Sequence, residues 1–247
     1  MTPAFSVTIK GSASTGEGLL FPPLELTLPA GQWSCLLGSS GVGKTTILRL
    51  LAGLEAHVIF DGSITCSDSA PLNGRIAYMT QADLLFPWRT VLDNVCLGAS
   101  LRHEPADHSR ALQILDRVGL GGYEKRKPHQ LSGGQRQRVS LARTLMEDRP
   151  VVLLDEPFSA LDAKTRAGMQ ELAVELLEGR TVLLVTHDPA EAARLGQEIN
   201  LLTRDGLQSV PAPACPPVRP LDDPETLTCQ GQLYRLLMGN TPEEASA

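Results

Sequence analysis

The sequence predicts an α/β fold with a mostly parallel central sheet, an antiparallel β edge and an α-helical subdomain. Three observations carry that expectation. Continuous apolar runs at Trp33 to Leu37, Val151 to Leu154 and Thr181 to Thr186 read as strands covered on both faces, as parallel sheets require. Helical patterns alternate with these strands and supply the crossovers. Nearer the start, Phe5 to Ile9 and Leu24 to Leu28 alternate apolar with polar residues, the pattern of strands with one wet face.

A chain of 247 residues can build one large α/β domain with a sizeable core. A content of 42% hydrophobic and 20% charged residues is that of an ordinary globular protein. The net charge of −6 argues against nucleic acid as the main partner. The five cysteines are scattered with no Cys-x-x-Cys pair, so neither a zinc site nor a disulfide framework is expected. The N-terminus shows no signal-peptide pattern, and no run approaches the ~20 apolar residues that span a bilayer. Any membrane part must come from other chains.

In chain order, Phe5 to Ile9 reads as an edge strand and Gly11 to Gly18 as a Gly/Ser-rich turn. Pro29-Ala30-Gly31 closes the next strand. After Trp33 to Leu37 a helix runs up to Gly53. Short strands are expected at Gly62 to Cys66 and Arg75 to Met79. From Thr90 to about Leu145 the pattern is helical. A helix starts at Thr90 with Asp93 as its capping-box partner, and Ala111, Leu112, Leu115 and Val118 form an apolar face. Lys125-Arg126-Lys127-Pro128 reads as a solvated basic turn. A helix follows Ser132, another spans Ala163 to Leu177, and a short one runs from Pro189 to Leu195 before a strand at Ile199 to Leu202. The expected organisation is one domain over 1–209, with the helical subdomain at about 82–148 inserted, and a tail over 210–247. Five prolines between Val210 and Pro220 make the tail's first part an extended linker. Asp223-Pro224 then fits N-cap and N1 of a last helix whose face is Leu233, Leu236 and Leu237.

Three stretches carry chemistry. Gly38-Ser39-Ser40-Gly41-Val42-Gly43-Lys44-Thr45-Thr46 lies between a buried strand and a helix start. Glycines there let backbone N–H groups converge on a phosphate, and the helix N-terminus adds partial positive charge. Lys44 supplies a full charge, and the Thr45 hydroxyl suits a magnesium ion. Second, Asp155 and Glu156 end a buried strand at the sheet edge where ligands bind in doubly wound folds. Asp155 can hold the metal through water, and Glu156 can take a proton from an attacking water. Third, Ser132-Gly133-Gly134-Gln135 has the spacing of a capping box. Each glycine weakens a first helical turn by about 1 kcal/mol, so a pair of them suggests close approach of a phosphate. With one helix start already serving phosphate within the chain, this second one suits a nucleotide held by another subunit.

With these motifs in this order, the chain resembles the ATP-binding subunits of ABC transporters, a P-loop NTPase family, along nearly its whole length. Gly38 to Thr45 is similar to Walker A, Gln81 to the Q-loop glutamine, Leu131 to Gln135 to the family signature and Val151 to Glu156 to Walker B. Ser159 to Asp162 resembles the D-loop, and His187 the switch histidine. The resemblance implies ATP and Mg2+ as ligands, with Thr45, Gln81 and Asp155 near the metal and Glu156, His187 and Gln81 at the reacting phosphate. It implies a head-to-tail dimer in which Ser132, Gly133, Gly134, Gln135 and Asp162 serve the nucleotide of the second copy. It also implies membrane-spanning permease subunits, a solute-binding protein in an importer, and a place at the cytoplasmic face of the cell membrane. Gln81 to Val95 looks like the importers of nitrate, taurine, aliphatic sulfonates and thiamine pyrimidine precursors. Leu84, Leu85, Phe86 and Trp88 either fold inward to fill the helical subdomain core or line the groove that receives a short helix of the permease. The family places an aromatic residue between its first two strands to stack on adenine. Here Gly11 to Gly18 has none, and Phe21 is the nearest candidate.

Other readings are an exporter or lipoprotein-release ATPase, or a soluble ATPase of this superfamily acting on the ribosome or on DNA. Ribosomal members carry two cassettes, and DNA-repair members a long coiled coil before the signature. This chain has one cassette and no sustained heptads in the roughly 85 residues between Thr46 and Leu131.

Overall fold

The computed structural model describes residues 4–16, 18–55 and 57–239. In chain order the first elements are β1 (Val7–Thr15), β2 (Gly18–Leu28), β3 (Trp33–Leu37), α1 (Lys44–Ala52), β4 (Ile59–Cys66) and β5 (Ile76–Met79). Helices α2 (Val91–Val95), α3 (Leu97–Leu101), α4 (His108–Arg117) and α5 (Gly133–Met146) follow. Then come β6 (Val151–Asp155), α6 (Ala163–Leu176), β7 (Thr181–Val185) and α7 (Pro189–Leu195). The chain closes with β8 (Glu198–Thr203), β9 (Gly206–Val210) and α8 (Pro224–Gly239). It divides into two compact units, residues 75–178 and the segments on either side of them.

In the unit formed by the flanking segments, β3 pairs in parallel with β7 on one side and β8 on the other. Every residue of β3 and β7 is buried, which explains why both read as unbroken apolar runs. A fully buried Val or Leu stabilises the fold by about 1.5–3 kcal/mol. Strand β9 adds to β8 antiparallel, a pairing that the sequence did not suggest. A separate antiparallel sheet has the order β2-β1-β4.

That order corrects two expectations. The first strand is the middle of its sheet, not an edge, because β4 returns along its other side. The supposed turn from Gly11 to Gly18 is mostly strand, since β1 continues to Thr15, which already pairs with Gly18. Glu17, within that stretch, lies outside the described residues. Gly11 is there for close approach: a Cβ would stand 2.3 Å from the Asp61 carbonyl oxygen of the neighbouring strand. The proline-rich stretch has no helix or strand, and α8 packs on α7 with Cys229 and Leu233 turned inward. Asp223 caps α8 by accepting the Thr226 N–H at 2.8 Å. Residues 240–247 of the expected tail lie outside the described residues.

In the unit of residues 75–178, β5 and β6 pair in parallel, and α5 packs against β5, α2 and α4. Helix α4 buries Ala111, Ile114 and Leu115. Leu112 is 43% exposed, contrary to the expected face. Ile114 takes its place because i and i+3 share a face, whereas i and i+1 do not.

Candidate functional site

Each unit gathers its own part of the motif set at the C-terminal ends of parallel strands. In the first, Leu36 of β3 pairs with Val185 of β7, so the glycine-rich loop after Leu37 and exposed His187 leave the sheet at the same edge. The loop turns through Gly43 with φ at 103°, a conformation that a β-carbon disfavours. A cavity of about 500 Å3 lies between Ser39 to Val42 and Leu201 to Asp205, with Leu237 on its wall; Lys44 and Thr45 do not line it. The Lys44 ammonium is buried and donates to the carbonyls of Gly38 at 2.7 Å and Ser39 at 2.9 Å. These bonds hold the cation inside the curve of the loop, where burial without partners would be costly.

The start of α1 carries no side-chain cap and no acidic residue in its first turn. By contrast α2, α4, α5, α6 and α7 begin on Thr90, Asp107, Ser132, Asp162 and Asp188, each accepting a backbone N–H. An uncapped helix start beside a buried lysine is a set of donors and charge suited to phosphate. Thr45 and Thr46 follow within its first turn.

Phe21 is 1% exposed, with its ring 3.1 Å from where a Cβ on Gly43 would stand. It supports the loop from within the core and presents no face for a base, so the stacking candidate is overturned. The sequence could not separate the two roles, because an aromatic in an alternating strand fits either.

His187 is held through its neighbours. The Thr186 N–H donates to Leu36 O at 3.2 Å and its hydroxyl donates to Glu191 Oε2 at 2.7 Å. The Asp188 N–H donates to the same hydroxyl at 3.0 Å, and Asp188 caps α7.

In the other unit, Met79 of β5 pairs with Leu154 of β6, so Gln81, Asp155 and Glu156 emerge together. Gln81 Nε2 donates to Glu156 Oε2 at 3.0 Å. Asp155 is buried at 2% exposure, and Glu156 is half-buried. Strand alternation ends at Asp155, because Glu156 has φ at 49°, in the left-handed region that costs a non-glycine residue about 1–2 kcal/mol. Its carbonyl is fastened in that geometry by Gln137 Nε2 at 2.9 Å and the Ser159 hydroxyl at 3.0 Å. Gln137 also accepts the Ala160 N–H at 2.9 Å, which ties α5 to the turn ahead of Asp162.

Ser132 and Gln135 form the reciprocal capping box: Ser132 Oγ accepts the Gln135 N–H and Gln135 Oε1 accepts the Ser132 N–H. The two glycines between them differ. A Cβ on Gly134 would meet the Ala160 carbonyl oxygen at 3.0 Å, so Gly134 serves packing. At Gly133 the nearest atom, on Arg136, would be 3.9 Å away, so its open face suits close approach from outside. Asp162 is exposed and caps α6 through the Thr165 N–H, which holds its carboxyl below the usual carboxylate range.

Several residues that build this half carry no motif. Arg136 pairs with Asp83 at 2.9 Å, and Arg143 donates to the carbonyls of Asp83 at 2.7 Å and Leu84 at 2.9 Å. These arginines brace the segment after Gln81 against α5. Asn94, fully buried, accepts the Phe86 N–H at 2.8 Å and donates to Thr90 O at 2.9 Å, fixing the loop between. The loop is divided: Leu85 is buried, whereas Leu84 and Trp88 are 60% and 68% exposed, with Trp88 stacked on Phe86. Among the described residues no three His, Cys, Asp or Glu side chains cluster to hold a metal unaided. Thr45 belongs to one unit and Gln81 and Asp155 to the other; each carries the kind of oxygen donor that magnesium takes.

Residues 21–159 match the family model described as ABC transporter. An uncharacterized ABC transporter ATP-binding protein of Haemophilus influenzae is 46% identical over 227 residues, 89% of this chain and 93% of that protein. The aliphatic sulfonates import ATP-binding protein SsuB 1 of Rhodococcus jostii is 50% identical over 188 residues, 74% of this chain and 73% of that protein. A dimeric ATP-binding cassette solved in a post-hydrolysis state with ADP and Pi superposes with a TM-score of 0.73 at 30% identity, covering 87% of this chain and 99% of that one. Motif order, an open helix start behind a buried lysine, and these likenesses lead to one conclusion: the chain belongs to the ABC transporter family, as an ATP-binding, ATP-hydrolysing subunit that powers transport.

Proposed function

We propose that this subunit drives an importer of sulfur oxyanions, with aliphatic sulfonates as the first class to test. It would act as a head-to-tail dimer bound to permease subunits at the cytoplasmic face of the membrane, fed by a solute-binding protein. The names of its relatives support the solute class, since SsuB 1 of Rhodococcus jostii is an aliphatic sulfonates import ATP-binding protein and CysA 1 of Rhizobium meliloti, 42% identical over 209 residues, a sulfate/thiosulfate import ATP-binding protein.

The observation that carries the coupling is the path that starts at Gln81. Its amide bonds Glu156, and seven residues later Trp88 stands exposed, while Arg143, Arg136 and Asn94 stiffen the segment between. A change at Glu156 can therefore move an apolar surface, and such patches mark partner sites. In this reading Lys44 and the α1 N-terminus bind the phosphates. Thr45 and Asp155 supply oxygen donors to magnesium, which neutralises charge on the transferred phosphoryl group when bound. Glu156, released from Gln81, accepts the proton of the attacking water, and His187 contacts the γ-phosphate. Gly133 and the N-terminus of α5 meet the nucleotide of the second copy, with Asp162 close to it.

Reconstitution with the copurifying permease tests this. ATP hydrolysis stimulated by an alkanesulfonate together with its binding protein supports the proposal. Stimulation by nitrate or a pyrimidine instead would overturn the solute class, and ATP-driven efflux would overturn import.

A further inference from the structure

Arg219 is the largest fully buried side chain of the described residues, at 1% exposure, yet it lies in the proline-rich stretch between β9 and α8. Its four side-chain hydrogen bonds all go to backbone carbonyls. Two, at 2.8 Å each, are to Ala193 and Gly196 at the end of α7. The others are to Pro213 at 2.9 Å and to Cys215. Two further bonds join the same residues: the Arg219 backbone N–H donates to Arg194 O at 3.2 Å, and the Arg194 side-chain Nε donates to Arg219 O at 3.0 Å. A guanidinium at a helix C-terminus satisfies orphan carbonyls and complements the helix dipole.

The helix it grips is short. Seven residues give too few internal bonds to stand alone, so packing sets where α7 lies. Its other end begins at Asp188, next to His187. Buried Glu191 in its first turn accepts the Thr186 hydroxyl, which in turn accepts the Asp188 N–H. Both neighbours of His187 are thus fixed to the element that Arg219 holds.

We propose that the segment from Pro211 to Gly239 is a strap that sets the position of His187, with Arg219 as its positioning residue. The inference rests on the role proposed for His187 in hydrolysis. Arg219 touches no substrate; it acts through α7. A plain stability role would lower the melting temperature and leave the turnover of the folded protein unchanged.

The test uses the full-length chain with Arg219→Gln, Arg219→Lys and His187→Ala. Melting temperature, ATP affinity, kcat, KM and the NMR signals of the His187 imidazole are measured, with assignment by comparison to His187→Ala. Small misplacement of a catalytic group can cost about ten- to a hundredfold. Folded Arg219→Gln should therefore lose roughly tenfold in kcat at unchanged ATP affinity and KM, with a displaced His187 signal. Arg219→Lys keeps the charge with fewer donors and should recover part of the loss. If Arg219→Gln does not fold, Arg219→Lys gives the same readouts at smaller amplitude. A kcat within about twofold of the parent and an unmoved His187 signal in a folded variant would overturn the strap. A parental rate in His187→Ala would instead overturn the role of His187 itself.

Discussion

Placing a glutamate at Leu85 or at Trp88 separates the two faces of the loop after Gln81. Leu85 is 8% exposed. Its replacement loses about 2–3 kcal/mol of burial and adds several kcal/mol for a carboxylate without water, about 5 kcal/mol or more together. Trp88 is 68% exposed, so about a third of its surface is covered. That is on the order of 80 Å2, or about 2 kcal/mol, with the stack on Phe86 included in the contact. For a chain of this size each kcal/mol lowers the melting temperature by about 2–4 °C. Trp88→Glu should melt about 4–8 °C below the parent, and Leu85→Glu at least 10 °C below it or not fold at all. Trp88→Glu should still bind a fluorescent ATP analogue normally but fail to copurify with the permease. Thermal melting, nucleotide titration and copurification on the same preparations decide the matter. Equal melting of the two variants would refute the inward and outward division, and a Trp88→Glu subunit that assembles and couples normally would refute the docking surface.

Three further outcomes are expected. Lys44→Ala should abolish tight ATP binding, because the phosphates lose the loop's fixed cation; unchanged affinity in a nucleotide titration would dismiss the cradle. Glu156→Gln should retain ATP binding, slow hydrolysis by ~10²-fold or more and accumulate an ATP-dependent dimer on gel filtration; a fully active monomer would rule out the base role. With Phe21 in the core, GTP should compete with ATP within roughly tenfold, since aromatic stacking is worth about 1–3 kcal/mol per base. Strong ATP selectivity in a competition assay would show that another side chain reads the base.

The motifs were legible because their physics is local. A lysine at a helix start, a Ser-x-x-Gln box and acids at the end of an apolar run each act within a few residues. What the sequence hid depends on distant pairing. Arg143 meets carbonyls 59 and 60 residues away, and Arg219 reaches back 26 residues to Ala193. An isolated arginine in a string of prolines looks solvated, and nothing nearby in the chain shows that α7 offers it carbonyls. Gly11 to Gly18 looked like a turn because small polar residues usually mark one. In the fold those small residues let β4 run close beside β1, and that close approach accounts for Gly11. Leu85 and Trp88 could not be sorted from sequence, because a loop without periodicity gives no face.

The backbone at Glu156 places two kinds of selection in conflict. A left-handed conformation at φ 49° suits glycine or asparagine better than glutamate. Directed evolution for heat resistance alone should drift toward Gly or Asn at position 156, gaining about 1 kcal/mol while losing turnover. A screen that demands both should leave 156 untouched and collect its gains elsewhere. The Gln137 and Ser159 bonds to the Glu156 carbonyl are the supports that let the unfavourable residue persist. Weakening either one should let the Glu156 backbone relax and lower the advantage of glycine in a stability screen, which makes position 156 a sensitive reporter of how firmly its neighbours hold it.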